Sequence, residues 1–250
     1  MAARQPAWAS PELRVAPLSP RYRRNYTTTR GTTGCGRSGT SYMAEVLHGS
    51  GAICGHEEAF DVLGPHESYN EYESSWYAAP FLDRIGPETP VLHLVRSPEK
   101  VIASFHRIGL VSKFPFRHVT RGKTALHPKA WLWSSRRVRD RWRFVSQHRR
   151  FLGQHVDIWD AHDEITRLNN YWFRWNQMIE RETSRLGLPY LRIRLEDVDG
   201  RLDEVAKFLG IKEGLNPRPP ANLKLMYRAR PALDRFLTPE LTTMAKRYGY

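Results

Sequence analysis

The chain has 250 residues, 40% of them hydrophobic and 26% charged, with two cysteines and ten histidines. This composition argues against a disulfide-stapled secreted scaffold and against a helical membrane span, and it fits a soluble protein that buries its own core. The excess of 39 Lys and Arg over 26 Asp and Glu leaves a net charge of +13, which points to anionic partners rather than to a fold.

In chain order, residues 1–25 are rich in Pro and Arg and show no period, so they read as a loosely packed leader without the apolar core of a secretory signal. A cytoplasmic location is the expectation. Residues 26–250 read as one domain. The Thr-rich run at 26–33 is β-prone but less apolar than a central strand normally is. Glycines then crowd at 31, 34, 36 and 39, and a helix follows that ends near Gly49. A short strand is expected at 52–54. Residues 91–95 form a near-continuous apolar run, the mark of a buried parallel strand, and Pro98 suits the first turn of the next helix. Residues 108–130 read as a long connection.

Residues 131–150 read as a helix, with seven arginines between positions 136 and 150. Such a run is either a solvated face or a polyanion-binding surface. Ile165, Leu168, Trp172, Trp175 and Ile179 then fall on one helical stripe and are candidate core. A strand at 190–195, a short helix at 202–209, a loop and a helix near 239–247 complete the chain. Strands alternate with helices. The expected fold class is α/β, with a mainly parallel central sheet of four or five strands flanked by helices.

Residues 31–42, GTTGCGRSGTSY, carry the most chemistry. Gly31, Gly36, Arg37 and Ser38 match the phosphate-loop pattern G-x-x-x-x-G-K-[ST], with Arg in place of Lys. Glycines let successive N–H groups point inward, and the following helix start adds free N–H groups and a positive dipole end. Arg37, Ser38, Gly39, Thr40 and Ser41 would supply the cradle. A nucleotidase also needs a metal, held by an Asp at the end of another strand. The strand at 91–95 ends in Arg96 instead, and Glu196-Asp197 is the one weak stand-in. Arg96 leaves the sheet at the carboxyl end of a strand, where open α/β sheets bind ligands, and Ser104 lies two helical turns on.

These two elements resemble the nucleotide grips of sulfotransferases that use 3′-phosphoadenosine 5′-phosphosulfate (PAPS). There, [K/R]-S-G-T-[T/S] followed by an aromatic or Leu holds the 5′-phosphosulfate, and R-x-P-x-x-x-x-x-S holds the 3′-phosphate. Here they read Arg37-Ser38-Gly39-Thr40-Ser41-Tyr42, and Arg96-Ser97-Pro98 with Ser104. The resemblance covers residues 31–49 and 91–105. It implies a P-loop-like fold, an aromatic stacking role for Tyr42, and a late basic residue such as Arg228 or Arg230 at the 3′-phosphate. It also implies in-line sulfuryl transfer from PAPS to a hydroxyl or amine, with no metal. The acceptor would be a small molecule, a sugar or a peptide hydroxyl, with neither a specific nucleic acid nor a membrane span involved.

The family's acid–base residue follows the first helix, where this chain has Gly55-His56-Glu57-Glu58. Glu57 is the first candidate for the base, with His56 and Glu58 as alternatives. A Glu base should give a rising limb at acid pH, and a His base one near 6.5. His93 and His106 read as structural. Residues 64–85 and 108–129, with Trp76, Tyr77, Phe114 and Phe116, are expected to line the acceptor pocket. The competing readings are a P-loop kinase or NTPase and a non-enzymatic polyanion binder.

Overall fold

The computed structural model describes residues 30–112, 128–219 and 238–250. Their regular elements are strands β1 (Arg30–Gly34), β2 (Cys54–Gly55), β3 (Phe60–Asp61), β4 (Gly64–Pro65), β5 (Tyr72–Ser74), β6 (Val91–Val95) and β7 (Tyr190–Arg194), with helices α1 (Thr40–Gly49), α2 (Pro98–Ile108), α3 (Pro128–His155), α4 (Glu164–Leu186), α5 (Leu202–Leu209) and α6 (Pro239–Arg247). Two 3-10 segments, Trp76–Arg84 and Leu195–Arg201, join them.

Five strands form one parallel sheet in the order β2-β5-β1-β6-β7, and β3 and β4 form a small antiparallel hairpin beside it. Gly31 lies opposite Val91, and Val91 opposite Tyr190. The α/β class and the parallel sheet are as expected. Both faces are covered, as a parallel sheet requires. Alternation along β6 sends Val91 and Val95 into one core with α2, α4, α6 and the later part of α3, while Leu92 and Leu94 enter a second core with α1 and α5. No helix among the described residues is long and apolar enough to cross a membrane.

The central strand is β1, in spite of its threonines. Thr32 and Thr33 are 1% exposed, and their hydroxyls find no protein partner. The described strand runs from Arg30, and the expected residues 26–29 lie outside the described residues, as does the leader. Its last residue must be glycine, because a Cβ at Gly34 would strike the Leu94 carbonyl and the Ser38 hydroxyl. The short second strand falls at Cys54–Gly55, slightly later than expected. The long connection resolves in part: α2 ends at Ile108, α3 begins at Pro128, and 113–127 lie outside the described residues. Leu168, Trp172, Trp175 and Ile179 are fully buried, as their period predicts, while Ile165 at the start of the stripe is only partly buried.

Candidate active site

The glycine-rich segment leaves the carboxyl end of β1 as a tight loop. The Ser38 N–H and hydroxyl both bond the Cys35 carbonyl, at 3.0 and 2.6 Å, so this serine closes the loop from inside. The Gly36 N–H donates to the buried Tyr171 hydroxyl of α4 at 2.7 Å. Gly36 can carry no side chain, since a Cβ would sit 2.7 Å from the Phe105 ring. Arg37 takes a left-handed backbone with φ 73°. Gly39 starts α1 with φ 108° and no side-chain cap, which leaves that helix N-terminus without an internal acceptor from its cap residue. Burial pushes the Cys35 thiol up to about 12, so it is a packing group and not a nucleophile.

The second element meets the first directly. The Arg37 Nε donates to the Ser104 hydroxyl at 2.9 Å, and an Arg96 guanidinium N–H donates to the Arg37 carbonyl at 3.0 Å. The Arg96 carbonyl in turn accepts from the Trp172 indole at 3.0 Å. Sequence reading separates these residues into two grips, whereas the structure joins them into one basic cluster. Burial, then the nearby Arg107 and Arg96, lower the Arg37 pKa, and the Glu57 carboxylate opposes them.

Both groups open on one cavity of about 350 Å³. Arg37, Gly39, Thr40, Ser41, Tyr42 and Arg96 line one side; His56, Glu57, Trp76 and Tyr77 line another. Ser38 and Ser104 stand behind this wall. The Tyr42 hydroxyl donates to Asp199. Ser41 Oγ and His56 Nε2 are hydrogen-bonded at 3.0 Å, and that nitrogen lies 3.8 Å from a Glu57 oxygen.

The three base candidates separate here. Glu57 and His56 face the cavity, whereas Glu58 is exposed and accepts from the Asn70 side chain at 2.9 Å. Burial raises the Glu57 pKa to about 7, against the pull of the Trp76 indole and Arg37. Burial lowers that of His56. The expected pH order is therefore reversed: a Glu57 limb falls near neutrality, and a His56 limb below 6.5. Glu57 also has a left-handed backbone, φ 60°, and it and Arg37 are the only non-glycine residues among those described with positive φ.

Sequence reading overlooks two parts of the site. In α3, Phe144 and His148 line the cavity, and the Tyr77 hydroxyl pairs with His148. The arginine pattern of this helix hides that face. The other is Glu73 in β5, a carboxylate only 2% exposed. His93 and His106 lie outside the cavity: His93 is buried between Tyr190 and Asn176, and His106 lies 3.9 Å from Glu164. Glu196 pairs with Lys100 and Asp197 with Arg194, and no group of metal-donor side chains occurs among the described residues. Phe114, Phe116, Arg228 and Arg230 lie outside the described residues. No family model and no curated protein matches this chain.

Proposed function

We propose that this protein is a sulfotransferase that moves the sulfuryl group of PAPS to a hydroxyl or amine acceptor. The observation that carries this reading is the junction of Arg37, Ser104 and Arg96 at the mouth of α1, on the same cavity as Glu57. Clustered guanidinium groups beside an uncapped helix N-terminus fit a ligand with more than one anionic group. PAPS supplies an activated sulfuryl group and a phosphate leaving group.

The chain's own residues then have distinct tasks. The loop N–H groups and the helix start hold the 5′ end of the donor. Arg96, with Ser104 behind it, favours a second phosphate. Arg37, oriented by Ser104, neutralises charge on the transferred group, since its planar fork stays charged at working pH. Glu57 takes the acceptor proton. A carboxylate that titrates near the operating pH is well matched to that role, because it is largely free to accept a proton yet still basic enough to pull it.

The test is calorimetry with adenosine 3′,5′-bisphosphate, AMP and Mg²⁺-ATP. The bisphosphate should bind more tightly than AMP by about tenfold or more, as a charge-assisted second phosphate contact predicts. Equal affinities, or a preference for Mg²⁺-ATP, would remove the basis for this assignment and favour a kinase or NTPase.

A further inference from the structure

Strand β5 and the residue after it read Tyr72-Glu73-Ser74-Ser75 and contribute no group to the cavity wall. Their side chains are nevertheless polar and buried: Glu73 is 2% exposed, Ser74 and Ser75 0%. Three adjacent buried polar residues are costly unless each makes a bond that the fold needs. Each makes at least one, although Glu73 Oε2 is buried without a partner, and the partners alternate with the pleat. On one face Glu73 Oε1 accepts from the Glu58 N–H at 3.0 Å, and the Ser75 hydroxyl donates to the Phe60 carbonyl at 2.9 Å. On the other face the Ser74 hydroxyl donates to the Thr40 carbonyl at the start of α1, at 2.7 Å.

The first face grips the turn that carries Glu57. Burial raises the Glu73 pKa to about 7, and the N–H groups of Ala59, Glu58 and Glu57 oppose that rise by favouring the carboxylate. Gly55 leaves room for it: a Cβ there would collide with both the Glu73 carboxylate and the Asn70 amide. Glu57 itself holds a left-handed backbone that a free glutamate would leave, so something must hold it there. A strand in the middle of a sheet is a rigid support for such a turn.

We infer that Glu73, with Ser75, is a positioning residue: it clamps the backbone of residues 57–60 so that the Glu57 carboxylate faces the cavity and Arg37. This rests on the reading of Glu57 as the base. The clamp acts through the backbone and touches no reacting atom.

The test uses the full chain labelled with ¹³C at glutamate side-chain carboxyls, with the Glu57 resonance identified by its loss in Glu57→Gln. Two variants release the clamp by different routes. Glu73→Leu removes both acceptor oxygens at similar volume. Gly55→Ala pushes the carboxylate away and changes no charge, so it separates geometry from electrostatics. In wild-type protein Glu57 should titrate near 7. In both variants its midpoint should fall by about one unit or more toward the ordinary carboxylate range, as the side chain swings to water. Glu73→Asp should restore part of the shift. Affinity for adenosine 3′,5′-bisphosphate should be unchanged. A merely structural role would lower the melting temperature and leave the Glu57 midpoint in place. An unchanged midpoint in both folded variants overturns the proposal, as does failure of all three variants to fold. If the bisphosphate binds no form of the protein while the midpoint still moves, the PAPS reading fails and the clamp stands.

Discussion

Arg37 and Glu57 stand on different loops and share an unusual backbone state, with φ values of 73° and 60°. Strain of this kind persists only where the surroundings over-determine it, and it gathers at working sites. Around Arg37 the determinants are Ser104 and Arg96; around Glu57 they are Glu73 and the Trp76 indole. Glu57→Gln should leave bisphosphate binding intact and lower kcat by about 10²–10⁴-fold, the usual worth of a positioned base. The rising limb of kcat/KM, near pH 7 in wild-type protein, should vanish with it. Stability should respond with a definite sign. A carboxyl whose pKa rises on folding favours the native state below its unfolded value of 4.5, and that advantage is lost as pH rises through about 7. The Gln variant should therefore melt at a higher temperature than wild-type protein at pH 8, with the gap smaller at pH 5. Thermal scans at the two pH values check this, and a gap that widens toward acid would contradict the assigned shift.

Among the elements, α4 does the most to shape the site without entering it. Its Tyr171 hydroxyl accepts from the Gly36 N–H, and its Trp172 indole donates to the Arg96 carbonyl, so one helix fixes both the glycine-rich loop and the Arg96 segment. Tyr171→Phe keeps the ring and leaves a buried N–H without its partner. Urea unfolding should show a loss of about 1–3 kcal/mol, and bisphosphate binding should weaken as the loop loosens. A variant as stable and as tight-binding as wild type would mean the loop holds itself. The α4 stripe is legible in the sequence because five large apolar residues repeat at helical spacing. So is β6, a plain apolar run, and so is the loop, whose glycines and cation sit at a strand-to-helix junction. The clamp in β5 is not legible. Its three residues have no apolar alternation, and their value lies in bonds to backbone groups 15 to 34 positions away. The cavity face of α3 is missed for a related reason, since charge dominates its pattern while Phe144 and His148 do the lining.

At the scale of the whole molecule, His93 ties the sheet to α4. It lies on β6 at 0% exposure, 2.7 Å from the Tyr190 hydroxyl and 2.9 Å from Asn176. Burial holds its pKa down at about 3. A histidine depressed in this way lends stability above its unfolded value of 6.5, and that contribution drains away as pH falls toward 3. Between pH 6 and 4 the wild-type protein should lose about 1.4 kcal/mol per pH unit more steeply than His93→Gln, one proton's worth of linkage. Denaturant titrations across that range give the slope directly, and parallel slopes would show that this imidazole stays neutral in both states. The register of β1 has a consequence for how the chain reaches its working form. Gly31 finds its neighbour on one side at Glu73 and on the other at Val91, sixty positions downstream, and Val91 in turn waits for Tyr190. Pairings at such separations close late, because the entropy of the intervening loop is lost before the strands reward it. A ribosome extruding this chain releases the glycine-rich loop early, yet that loop meets Arg96 only after more than a third of the protein has emerged and Tyr171 only after about two thirds. The final shape of that loop is thus among the last features the nascent polypeptide acquires, although its residues are among the first to be synthesised.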